Sequence, residues 1–166
     1  MGPVTTEASR SQPALTSRSA LQSLRGRIPV GEYAFPGPVR DGLVAAILNG
    51  EKTATTSLLV EYQRDGQDPH DLLGSYELVV DSDEQPVCVT RTTEVRVVAL
   101  SEVDLQHCID EGEGYRTIAE WERAHRLFWE SEELRAELND PTWRLTDRTP
   151  VVMQRFELVD PHEVRL

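Results

Sequence analysis

Two strand-forming runs, Ser75–Val80 and Val87–Leu100, are separated by Asp81-Ser82-Asp83-Glu84-Gln85-Pro86, a stretch dominated by turn-forming residues. That arrangement commits the middle of the chain to a sheet. The flanking segments read differently. Pro36-Gly37-Pro38 opens a helical pattern with Val39, Leu43, Val44, Ile47 and Leu48 on one stripe, and Gly50 stands where a helix-ending glycine belongs. Thr55–Tyr62 is β-branched and extended, and Asp65-Gly66 with Pro69 marks a loop. Ser101 and Thr117, each followed three residues later by an acid, predict helix starts. The second helix carries Ile118, Trp121, His125 and Phe128 on one side, with Pro141 beyond its end, and Thr149–Val159 alternates as a strand. Strands with interspersed helices and no regular βαβ alternation predict an α+β fold, a small β-barrel flanked by helices.

At 166 residues the chain suits one domain. Residues 1–27 are rich in Ser, Thr and Pro and carry Arg10, Arg18, Arg25 and Arg27 against Glu7 alone, which predicts a disordered or loosely docked N-terminal arm. The arm lacks the apolar run of a secretory signal. Residues 28–166 form the expected folded domain and hold all of the acidity behind a net charge of −12. Such a balance weighs against a basic groove for long nucleic acid, whose affinity rests on many phosphate contacts. No apolar run is long enough for a membrane span, so no membrane partner is expected. Cys88 and Cys108 make neither a metal motif nor a disulfide framework, which predicts a cytoplasmic location.

Gly50-Glu51-Lys52-Thr53-Ala54-Thr55 resembles the Gly-x-Lys-Thr-x-Thr signature of the ASCH domain family. Ser57-Leu58, Glu61-Tyr62, Gly74, Pro86-x-Cys88-Val89, Thr92-Thr93-Glu94-Val95, Glu111-Gly112-Glu113-Gly114, Trp121, His125 and Phe128 follow in the family's order. The resemblance implies a PUA-like barrel and a hydrolase acting on RNA or a modified nucleoside. Ribonuclease-like cleavage of single-stranded RNA is its first implied activity. The alternatives are N4-acetylcytidine amide hydrolysis by a Lys/Thr/Glu set and a non-catalytic RNA- or nucleotide-binding module. The catalytic set maps to Lys52, Thr55 and Glu111, with Glu113 the fallback acid, and Thr53, Arg91 and Glu113 are the expected substrate-binding positions.

The residues read compatibly by themselves. Lys52, between a helix stop and a strand, is expected at the rim of the sheet, where lost hydration would lower its pKa and suit it to act as a base. It could then take the hydroxyl proton of Thr55, activating that oxygen as a nucleophile. Glu111 would hold the ammonium or protonate a leaving group. Arg91 shares a face with Val87, Val89, Val95 and Val97 if no bulge intervenes; it is either a phosphate or carbonyl clamp at the barrel mouth or the partner of Glu111 or Glu94. Gly112 and Gly114 suit a loop lining a site. His107 and Glu111, four apart, offer two ligands for a divalent ion. That is too few for a structural metal, so no cofactor is expected beyond a transient Mg²⁺ or Mn²⁺ in a nuclease. His125, on the apolar stripe, reads as a packing residue. Trp129 and Trp143 are the aromatics expected at the surface.

Overall fold

A computed structural model describes residues 15–166. Five strands form one mixed sheet: β1 (Val30–Gly31), β2 (Ala54–Leu58), β3 (Tyr76–Val80), β4 (Pro86–Ala99) and β5 (Pro150–Val159). Their order is β1-β3-β4-β5-β2. β1 and β3 pair parallel and the other neighbours pair antiparallel. The β3–β4 hairpin turns as the sequence predicts, with Asp81 Oδ1 accepting the amides of Asp83 and Gln85 at 2.9 Å. The barrel does not close, because the end strands β1 and β2 are not hydrogen-bonded to each other.

Helices α1 (Arg18–Ser23), α2 (Pro38–Leu48), α3 (Leu59–Arg64), α4 (Leu105–Asp110), α5 (Ile118–Trp129) and α6 (Glu132–Leu138) flank the sheet. α2 stops as expected, with Gly50 in the left-handed region at φ +84°. The extended run expected through Tyr62 ends at Leu58. There the Glu61 carboxylate accepts the Leu58 amide at 3.2 Å and starts α3. Asp104, rather than Ser101, caps α4 by accepting the His107 amide at 2.8 Å, and Thr117 caps α5 by accepting the Glu120 amide at 3.1 Å.

The core contains Leu58, Leu100, Cys108, Trp121, Trp129, Val151 and Met153 around α5, with Val44, Ile47, Val79, Cys88 and Phe156 beneath α2. Trp129 is buried at 2% exposure and Phe128 is 45% exposed, the reverse of their expected places. The buried stripe of α5 steps 121, 125, 129 in fours, which turns position 128 outward. Trp143 is partly buried against the core.

Of the arm expected over 1–27, residues 1–14 lie outside the described residues. From Leu15 onward the chain lies against the domain, with Leu21 and Leu24 buried on Leu78, Val89 and Val159. Both cysteines are free and buried, and burial pushes each thiol up to about 12. Among the described residues no helix is long and apolar enough to cross a membrane.

Candidate active site

A cleft of about 660 Å³ opens where the barrel fails to close. Val30 and Gly31 of β1 line one side and Thr55–Ser57 of β2 line the other, with α5 across the mouth. Lys52, Thr55, Glu111 and Glu113 all contribute to its lining, so the signature lysine, threonine and both candidate acids meet in one place.

Lys52 enters from the turn after α2. Its amide donates to the Ala46 carbonyl at 3.0 Å, folding the segment back against the helix end. The side chain is not at the rim as expected but buried, at 3% exposure. Nζ donates to the carbonyls of Ala54 at 2.8 Å and Glu111 at 3.2 Å and lies 5.9 Å from the centre of the Tyr33 ring. Burial lowers its pKa, against the opposing charges of Glu111 and Glu113. Two carbonyl acceptors satisfy both hydrogens of a neutral amine and leave its lone pair for a third group. Thr55, on the alternate face of β2 from the buried Ala54 and Thr56, faces the cleft half-exposed.

Glu111 is 1% exposed and closes α4. Its Oε1 accepts from the Thr56 hydroxyl at 2.7 Å; its Oε2 accepts from Trp121 Nε1 at 2.5 Å and faces His125 Nε2 at 3.1 Å. The carboxylate is thus fully engaged and does not hold the Lys52 ammonium, which meets only the backbone oxygen. Burial alone would raise this carboxyl. Hydrogen bonds from His107 and His125, with the charges of His125 and Lys52, outweigh burial and hold it well below the usual carboxylate range. A carboxylate so ionised and so buried is better suited to accepting hydrogen bonds than to donating a proton.

Three groups surround Glu111, of which Thr56 carries no signature in the sequence. Thr56 spends its one hydroxyl proton on Glu111, so His107 Nε2, 2.7 Å away, is the donor to Thr56, which assigns the Nε2–H tautomer. His125 Nδ1 faces the Trp121 carbonyl at 2.8 Å while Nε2 faces Glu111, so both ring nitrogens meet acceptors, the pattern of an imidazolium. Burial lowers the His125 pKa, but the hydrogen bond and charge of Glu111 and the Trp121 carbonyl raise it above its ordinary value. His125 also stacks on Trp121 with centroids 4.3 Å apart, so it both packs and lines the cleft. The 3.6-residue period that identified the stripe also placed these two rings together.

Gly112, at φ +70°, lets the α4 end approach the Lys52 segment. A Cβ there would lie 2.6 Å from the Glu51 carbonyl oxygen and 2.7 Å from Lys52 Cα. Thr53 binds the same region through its backbone, donating to Asp110 O at 2.8 Å and accepting from Phe156 N at 3.1 Å, but does not line the cleft. Arg91 lies outside it as well. The register of β4 slips between Thr92 and Glu94, and Arg91 is exposed opposite Glu157 at 3.9 Å, paired with neither Glu111 nor Glu94. Glu111, Glu113 and His125 each offer one ligand atom within 4.8 Å of the others. Glu111 and His125 are already bonded to each other, and Lys52 stands beside them, so this set suits a divalent cation poorly.

An open PUA-like barrel with its cleft between the two end strands defines the class. A family model described as the ASCH domain matches residues 32–160, and the chain belongs to the ASCH domain family. The fold is similar to the crystal structure of protein EF3133 from Enterococcus faecalis V583, at TM-score 0.71 and 24% identity over 86% of this chain and 88% of that one. It is also similar to the ASCH domain from Lactobacillus crispatus JV V101, at TM-score 0.70 and 22% identity over 93% and 98% of the two chains. No curated protein matches the sequence.

Proposed function

We propose that this protein hydrolyses an amide on a modified nucleoside of the N4-acetylcytidine type. The observation carrying this reading is the composition of the cleft. Its lining joins a buried lysine and a half-exposed threonine to five glutamates, Glu32, Glu61, Glu77, Glu111 and Glu113, and includes no arginine. A phosphodiester chain would meet repulsion on most sides. A neutral nucleoside would not, and the cleft volume suits one small ligand. Acidity thus favours the amide-directed activity over the ribonuclease implied first by the family resemblance.

In this reading neutral Lys52 takes the Thr55 hydroxyl proton as Oγ1 attacks the acyl carbon. The C–N bond breaks, the departing amine receives a proton from the Lys52 ammonium, and the acyl group stays as an ester on Thr55. Water then cleaves the ester, giving its proton to Lys52 and from there to Thr55 Oγ1. Glu111, Thr56, His107 and Trp121 hold the floor beneath this pair, and His125 supplies a positive charge on the cleft wall. Phe35 and Phe128, exposed with ring centroids 6.4 Å apart, offer aromatic surface near the mouth for a base.

Incubation with N4-acetylcytidine and, separately, with a short labelled RNA, followed by mass separation of products, tests it. Cytidine and acetate from the nucleoside support the reading. Shortened RNA with intact nucleoside would instead establish the ribonuclease, and saturable binding without turnover of either would establish a binding module.

A further inference from the structure

Glu77 stands apart from the catalytic set yet lines the same cleft. It lies on β3, opposite Thr90 of β4, and among the described residues its carboxyl has neither a hydrogen-bond nor an ion-pair partner. The fold makes room for it. A Cβ at Gly31 of the neighbouring strand would sit 2.7 Å from Glu77 Oε2, so β1 carries the one residue type that leaves the carboxyl its place. Tyr33 and Tyr62 line the same cleft, and the Tyr33 ring centre lies 5.9 Å from Lys52 Nζ, so Glu77 and the reacting pair share one ligand space. Half-buried acids without partners are costly to keep unless a ligand completes them.

We infer that Glu77 recognises the substrate's base, pairing its carboxyl with an edge where an N–H and a ring-nitrogen lone pair lie side by side, as on cytosine. Burial pushes this carboxyl above the usual carboxylate range, toward the neutral form that has a donor beside an acceptor. The inference rests on the nucleoside reading of the cleft, but it concerns binding and not the bond broken.

Calorimetric titration of the full chain with cytidine separates the two. Wild type should bind cytidine, Glu77→Gln should bind within about threefold because an amide offers the same donor and acceptor, and Glu77→Ala should bind at least about tenfold more weakly, the scale of one good hydrogen-bonded pair. N4,N4-dimethylcytidine, which lacks the N–H, should bind wild type and Glu77→Ala equally weakly. With N4-acetylcytidine, Glu77→Ala should lower kcat/KM at least about tenfold and Glu77→Gln should stay within about threefold of wild type. Failure of wild type to bind cytidine, equal binding by Glu77→Ala, or a Gln variant as weak as the Ala variant would overturn the assignment. Cytidine binding without any turnover of N4-acetylcytidine would sink the hydrolase and leave Glu77 as a base-recognition residue.

Discussion

Lys52 and Glu111 are hydrogen-bonded through a peptide oxygen and not through the carboxylate. Nζ donates to the Glu111 carbonyl at 3.2 Å while the carboxylate of the same residue is engaged by Thr56, Trp121 and His125. This separates two jobs that a direct ion pair would merge. A carboxylate bonded to Nζ would hold the lysine charged, whereas two carbonyls support the neutral amine equally well.

The chemistry of that pair gives the first prediction. Lys52→Ala and Thr55→Ala should each cut turnover of the acylated nucleoside by about 10²-fold or more, the scale of general acid–base groups. The double variant should be scarcely worse than either single one, because the two act as a unit. Lys52→Arg should fail nearly as badly, since a guanidinium does not release its proton near neutral pH. Steady-state kinetics checks this, and full activity in Lys52→Arg would reduce the position to a positive charge. Because Lys52 is buried, Lys52→Ala should also cost about 1–3 kcal/mol by leaving the Ala54 and Glu111 carbonyls without a donor.

Glu111→Ala should cost more. It strands the His125 imidazolium and removes the acceptor of Thr56 and Trp121, and breaking a buried pair costs about 3–5 kcal/mol. Urea denaturation measures it. A loss below about 1 kcal/mol, the range of an exposed ion pair, would mean that the carboxylate is not the anchor described here.

The site was legible in the sequence wherever a short motif carried it. Lys52, Thr55, Glu111 and Glu113 do share one cleft, and the Gly112 turn does permit a close approach. Arg91 was misplaced because a bulge near Thr93 changes which face each β4 residue takes, and no residue type announces it. Phe128 and Trp129 exchanged places because one apolar stripe can step by three or four, and only packing decides which. Thr56 and Glu77 carry no local pattern, and the spacing that links His107 to Glu111 does not show its bond to Thr56. Their roles arise when β1, β2 and α4 come together from distant parts of the chain.

Stability should depend on pH through His125. Its folded pKa lies above the ordinary value of about 6.5, so its contribution is fully present below that pH and is lost as pH rises through the raised folded value. The stability difference between wild type and His125→Gln should therefore shrink on going from about pH 6 toward alkaline pH. Denaturant melts across that range test it; a difference that grows with pH would mean the ring is neutral in the folded protein.

Gly112→Ala should disturb fold and site together. The left-handed backbone alone costs a side chain about 1–2 kcal/mol. The Cβ would also press on the Glu51 carbonyl and Lys52 Cα, which are backbone atoms unable to rotate aside. Turnover should fall alongside stability as the α4 end and the Lys52 turn are pushed apart. Gly114→Ala, with open space around its Cβ site, should bear only the backbone cost. Parallel melts of the two variants decide the matter, and equal losses would exclude a steric role for Gly112.

Salt supplies the last test, because it separates a nucleoside cleft from an RNA groove without any substitution. Single-stranded RNA gripped by phosphate contacts loses about 0.7 log units of affinity per log unit of salt for each phosphate neutralised. Against five glutamates the cleft lining offers Lys52 and His125 as its basic groups, and both already face protein acceptors. A neutral nucleoside releases no counterions. Cytidine affinity should therefore change by less than about twofold from 50 to 500 mM salt. Short RNA should bind weakly at every salt, because the protein carries −12 overall and the site has no free positive charge to offset it. Tight RNA binding with a steep salt slope would move the ligand to another surface and restore the polymer as substrate.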